Sequence, residues 1–242
     1  MAKVMMIASG KGGTGKSTVA VFMATELALD GNRTLLIELD AGLRSVDVIS
    51  GTGRQAVYDI SDVLKGRCEP QKAILTSPHT DKLHIIAAPY KSSDTDFTGF
   101  KQMTDGLYED YDYILIDTAA GLANAFYAAC EAATLGIIVA TADVISVRDG
   151  RLVSDEMYDA GLRDIRLIIN KFSRDTFKYS GFEDLDRIID GVCARLLGVI
   201  PASAAISKCA INGSLLAPLS PERQIFRAIC RRIQGQDVQI II

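Results

Sequence analysis

The run Gly10-Lys11-Gly12-Gly13-Thr14-Gly15-Lys16-Ser17-Thr18 has the make-up of a loop that holds phosphate. Gly10, Gly12, Gly13 and Gly15 let successive backbone N–H groups turn toward an anion, and a helix starting just after them adds the positive end of its dipole. The spacing Gly-x-x-x-x-Gly-Lys-Ser lets Lys16 reach the β- and γ-phosphates of a nucleotide, with Ser17 as a Mg²⁺ ligand and Thr18 near the α-phosphate. Thr14 lies inside the same cradle. Such a loop needs a carboxylate from a neighbouring strand to hold the metal's water shell. "YDYILIDTAAGL" supplies Asp117 at the end of an apolar run, and the Ala-Ala-Gly stretch after it can respond to a γ-phosphate. Lys11 is left without a part in this pattern.

The elements that must position these residues are legible as short apolar runs: 4–9, 34–39, 83–88, 113–117, 136–141, 166–170 and 198–201. Strands apolar on both faces are expected where helices cover both sides of a parallel sheet. Helical patterns lie between them at 17–30, 95–110, 144–160, 183–197 and 222–234. The alternation predicts an α/β fold, doubly wound, with a mostly parallel sheet of about seven to eight strands and helices on both faces. Without a linker, repeat or low-complexity segment, residues 1–242 are expected to form one domain, with a last core helix at about 221–234 and a short tail, 235–242.

With 242 residues, 48% of them hydrophobic, the chain can bury a large core without a metal or disulfide staple. The formal net charge of −4 provides no global basic field toward nucleic acid or anionic lipid. Five cysteines, at 68, 130, 193, 209 and 230, stand at no CxxC or CxC spacing and read as thiols in a reducing compartment. The two histidines, His79 and His84, offer little to zinc. The apolar run at the N-terminus is too short for a signal peptide, and no stretch approaches the roughly 20 apolar residues of a membrane span. A cytoplasmic protein is expected, with at most a peripheral contact on the inner face of the membrane.

Lys11 carries a resemblance. "KGGTGKST" is similar to the deviant phosphate loop of the MinD/ParA ATPases, in which a signature lysine precedes the second glycine. "LLIELDAGLRSVDVISG", "YILIDTAAGL", "SVRDGRLV" and "GVIP" with "AINGSLL" resemble further segments of MinD-like members, so that the likeness runs over about 3–235. It implies ATP and Mg²⁺ as ligands, ATP hydrolysis as the reaction, and a homodimer formed with ATP, in which Lys11 acts across the interface on the partner's phosphates. It also implies that Asp40 orients the attacking water, that Asn170 bonds the adenine with Pro201 beside it, and that Arg44, Asp47 and Asp149 lie in partner-binding surfaces. The MinD-like function so implied is spatial control of the division site through ATP-switched membrane and partner association, with a division regulator as partner. Glu38 falls with Ser17 and Asp117 in the metal set the resemblance implies, but it stands where an Asp is usual, so that its contact to Mg²⁺ is expected to be longer or absent. The chain also departs at Ala123, where a Glu is common, and after Pro201, where "ASAAI" lacks acidic residues.

In the C-terminal segment Ile225, Phe226, Ile229, Cys230 and Ile233 share one helical face, and Arg223, Arg227 and Arg231 another. This is expected to be the last core helix, and the alternative is a basic membrane-surface helix. A second reading of the whole chain, a ParA-like DNA-partitioning or cargo-positioning ATPase, would place DNA on Arg223, Arg227, Arg231 and Arg232. A third, a metal-cluster carrier or reductase on the same fold, has Cys130 and no second cysteine at a matching spacing.

Overall fold

The computed structural model describes residues 2–42, 44–53, 55–90 and 95–240. Leu43 of the 35–51 segment and Ile241 and Ile242 of the tail lie outside the described residues. The strands are β1 (Lys3–Ala8), β2 (Thr34–Glu38), β3 (Ile74–Thr76), β4 (Leu83–Ile86), β5 (Tyr113–Asp117), β6 (Leu135–Thr141), β7 (Ile165–Phe172) and β8 (Arg195–Pro201). They form a sheet in the order β3-β4-β2-β5-β1-β6-β7-β8. Among the described residues only the β3–β4 pairing is antiparallel. The helices are α1 (Lys16–Leu29), α2 (Ser45–Ile49), α3 (Ile60–Leu64), α4 (Pro70–Ala73), α5 (Phe100–Asp105), α6 (Asn124–Ala132), α7 (Val144–Asp159), α8 (Arg174–Phe177), α9 (Leu185–Val192), α10 (Ala204–Asn212) and α11 (Pro221–Ile233).

The sheet is buried on both faces, which is why its strands read as unbroken apolar runs. Along β1, Val4, Met6 and Ala8 enter the core shared with α5, α6, α7 and α9, while Met5 and Ile7 enter the core shared with α1 and α11. β1 lies between β5 and β6, and its register pairs Ile7 with Asp117, while Glu38 of β2 pairs with Asp117 from the other side. The chain turns into helices on opposite faces at this point of the sheet, the usual place for a ligand crevice in a doubly wound fold.

Two helices are shorter than their apolar patterns. The 95–110 pattern becomes α5 alone, because the Asp96 carboxylate accepts from both the amide and the hydroxyl of Thr98 and holds those residues in a turn. The 183–197 pattern ends at Val192, where Cys193 takes a left-handed φ of 58° and the chain enters β8. The three-residue β3 was too short to stand out as a strand.

α11 is a core helix. Ile225, Phe226, Ile229, Cys230 and Ile233 are buried, and the Phe226 ring packs 5.3 Å from that of Phe22 on α1. Ser220 caps it and Pro221 opens it. The tail that follows is not helical: the Arg232 guanidinium donates to the carbonyls of Leu197, Val238 and Gln239 and straps it to the first half of β8. Among the described residues no helix is long and apolar enough to cross a membrane. Phe226→Ala should destabilise the fold by about 3–5 kcal/mol in urea unfolding. A loss under about 1 kcal/mol, the scale of a surface change, would show α11 to be loosely docked.

Candidate nucleotide-binding site

The loop leaves the carboxyl end of β1 and delivers its last glycine to the start of α1. Gly15 takes φ 90°, and a Cβ there would collide with the Asn170 amide, so both the backbone and the space require glycine. A Cβ on Gly10 would meet the backbone of Asp149 on α7. α1 begins without a side-chain cap and without an acidic residue in its first turn. Its first N–H groups are therefore free for an anion, and no acidic side chain of its own first turn opposes one.

Lys16 is buried, with Nζ 3.1 Å from Asp117 Oδ1 and 3.9 Å from Asp40 Oδ2. Asp117 has no solvent exposure. Burial pushes its carboxyl up, against the pull of the Lys16 ammonium and the Ser17 hydroxyl. Its second oxygen, Oδ2, is buried with no hydrogen-bond partner among the described residues, as is Thr14 Oγ1. An orphaned carboxylate oxygen beside a serine hydroxyl is a hard-oxygen donor set that suits Mg²⁺. Ser17, Thr14, Asp40, Ser45, Ala119 and Ala120 line the cleft above this floor, of about 490 Å³.

A second cleft of about 230 Å³ shares Gly15 and Thr18 with the first and extends to Asn170, Lys171, Pro201, Ile206 and Ser207. β7 and α10 form its walls. Asn170 Nδ2 donates to the Thr14 carbonyl at 2.7 Å, and Lys171 Nζ donates to the Gly13 carbonyl at 2.7 Å. Lys171 was not evident in the sequence. It makes its contact from a left-handed backbone, φ 55°, and no motif spacing marks it.

Lys11 stands outside the phosphate cleft. Its Nζ lies 3.2 and 3.3 Å from the two oxygens of Asp143, the residue that caps α7, and its side chain is 36% exposed. Burial raises the Asp143 carboxyl, but bonds from Thr141, Ser146 and Lys11 outweigh it and hold the group below the usual carboxylate range.

Three expectations are corrected. Glu38 is not turned to the metal floor: it is fully buried, and its oxygens accept from the amides of Val46 (3.1 Å) and Ala88 (3.4 Å). Burial pushes its carboxyl up to about 8, with Val46 opposing and Asp117 adding to the shift. Arg44 and Asp47 are not surface charges. They are 4% and 3% exposed, paired at 2.7 Å, and the Arg44 guanidinium lies 3.8 Å from the centre of the Tyr90 ring. Asp149 stays near the surface, backed by Gly10 and paired with Arg148. Two of the four C-terminal arginines are committed internally, Arg223 to Glu26 at 2.6 Å and Arg232 to the tail. The Cys130 thiol is buried against Met6, and burial pushes it up to about 12.

A cleft over a glycine loop at the start of a helix, with a second cleft adjoining it, is the arrangement of a P-loop nucleotide-binding protein, and this chain is of that class. Residues 5–216 match the CobQ/CobB/MinD/ParA nucleotide binding domain, and the chain belongs to that family, on its MinD-like side. Over 99% of its length it is 30% identical to the septum site-determining protein MinD of Bacillus subtilis, covering 92% of that protein. Its fold is similar, at a TM-score of 0.91 and 30% identity, to the Aquifex aeolicus MinC:MinD cell division protein complex, over 100% of this chain and 99% of that one. It is similar at 0.85 and 25% identity to the Pyrococcus horikoshii MinD complexed with Mg-ADP, over 96% of each chain.

Asp117→Ala should lower nucleotide affinity in Mg²⁺ by about 10–100-fold, with little further loss when the metal is chelated. Titration of a fluorescent nucleotide with and without chelator checks this. An undiminished Mg²⁺ dependence would place the metal elsewhere.

Proposed function

We propose that this chain is a MinD-like ATPase that binds Mg-ATP, pairs with a second copy, and uses the pairing to switch its association with a division regulator and the inner face of the membrane. The observation that carries the reading is the placement of the two lysines. Lys16 lies in the floor of its own phosphate cleft, while Lys11 lies on the rim, partly exposed and 3.2 Å from Asp143. A lysine so placed suits action on a neighbouring molecule's nucleotide. Positive charge then arrives at the γ-phosphate only when two copies dock, as with an arginine finger.

In this mechanism the loop amides and the α1 N-terminus bind the phosphates, and Lys16 moves its charge from Asp117 to the β/γ-oxygens. Ser17 and Asp117 would hold Mg²⁺, which would supply positive charge against the phosphate oxygens. Asp40, on the cleft wall, orients a water for in-line attack on the γ-phosphorus. Asn170 and Pro201 flank the base. Hydrolysis removes the γ-phosphate that links the two subunits, so the products favour separation. The names of the relatives, septum site-determining MinD and a MinC:MinD complex, support a role in placing the division site and a regulator as partner. Membrane association rests on doubling a weak C-terminal contact in the dimer, since two linked weak sites bind with avidity.

Lys11→Ala should bind nucleotide within about twofold of wild type and fail to pair in Mg-ATP, as read by light scattering. Normal pairing would remove the role of Lys11 across the interface. Asp40→Ala should pair and stay paired, with turnover reduced at least about tenfold. Wild-type turnover would assign the water to another group. Co-sedimentation with anionic vesicles in ATP and ADP, beside a duplex DNA titration, separates the membrane role from partitioning. ATP-dependent pelleting supports the former, and salt-sensitive DNA binding without pelleting the latter.

A further inference from the structure

The segment that carries Asp40 is fastened at successive points to the chain leaving β4. Glu38 Oε2 accepts from the Ala88 amide, the Gly42 amide donates to the Pro89 carbonyl at 3.0 Å, and the Arg44 guanidinium stacks on the Tyr90 ring. Just after Glu38, the Leu39 amide donates to the Asp117 carbonyl at 2.8 Å, which fixes the exit from β2. The far end of the segment is α2, a helix of five residues preceded by Arg44 in a left-handed conformation, with no side-chain cap from that position. Its Val46 amide would be an orphan donor buried without water, a costly condition. Glu38 Oε1 accepts from that amide from eight residues away.

Glu38 thus joins the end of β2, the start of α2 and Ala88, two residues beyond β4, and the loop it closes contains Asp40. We infer that Glu38 is the positioning residue of the catalytic loop: a buried carboxyl that caps α2 through Val46, anchors to Ala88, and so holds Asp40 at the height where it can orient water. This inference rests on the ATPase reading above. It also gives a reason for glutamate at this position. An aspartate is shorter by one methylene, about 1.5 Å, and from a fixed β2 it could not span both amides. Glu38 touches neither phosphate nor water in this account, and it acts through the placement of Asp40.

The test compares Glu38→Asp and Glu38→Gln with wild type by nucleotide titration, steady-state turnover, and amide hydrogen exchange over residues 44–50. Glu38→Asp should keep ADP affinity within about twofold and lower kcat about 10–100-fold, the scale of a 1 Å misplacement, with faster exchange at the Val46 amide. Glu38→Gln keeps one oxygen that can accept from Val46 but sets its NH2 against the Ala88 amide, so it should recover the Val46 protection and only part of the kcat. Unchanged turnover and exchange in Glu38→Asp would overturn the inference. A fall in Mg²⁺-dependent affinity that parallels kcat would overturn it too, because it would put Glu38 on the metal. If wild type itself fails to hydrolyse ATP, the ATPase reading fails, and the Val46 exchange still decides whether Glu38 caps α2.

Discussion

A lysine ammonium and an aspartate carboxylate face each other at 3.1 Å beneath the phosphate loop, one 7% exposed and the other not at all. Burying such a pair costs desolvation on both sides, and its attraction seldom returns a net gain over an apolar contact. Its retention is better explained by what each partner is poised to do. Lys16 is held at the head of α1 where a phosphate will arrive, and Asp117 retains a buried oxygen with no partner. The floor is thus unfinished as a structural feature, and its open oxygen is what the proposed Mg-nucleotide would complete. The sheet serves this arrangement, because β1 and β5 must run side by side and end at the same level for the two side chains to meet.

The rest of the site extends outward from that floor. On one side, Asn170 and Lys171 near the end of β7 hold the Thr14 and Gly13 carbonyls, so that the wall of the second cleft and the bend of the loop are one structure. On the other side, the Asp40 segment is tied to the chain after β4 through Glu38, Gly42 and Arg44. Lys11 lies at the outer rim with Asp143 as its present partner. Charge for the phosphate is supplied from within by Lys16 and, in the proposed dimer, from outside by the partner's Lys11. The nucleotide is then both substrate and part of the interface.

The phosphate loop, Asp117 and the central strands were legible because each depends on residue types at short fixed spacings. Burial on both faces makes the middles of β1, β5 and β6 apolar, and the apolar face of α11 marked it as a core helix. What escaped depends on contacts distant in the chain. Nothing near Arg44 shows that Tyr90 will cover it, and nothing near Glu38 shows that Ala88 and Val46 will take both its oxygens. Charged residues in a loop read as solvated until the partner that buries them is known. Lys171 escaped for the same reason, since its target lies 158 residues away. The family likeness put Glu38 near the metal, but one more methylene and two backbone amides turn it to a different task.

The central claim is that the nucleotide on this floor sets the association state of the chain. Sedimentation velocity of the wild-type protein in Mg-ATP and in Mg-ADP tests it most directly. The account expects a dimer in Mg-ATP that returns to monomer in Mg-ADP or as ATP is consumed. A monomer in both nucleotides, or a dimer of equal strength in both, would contradict it.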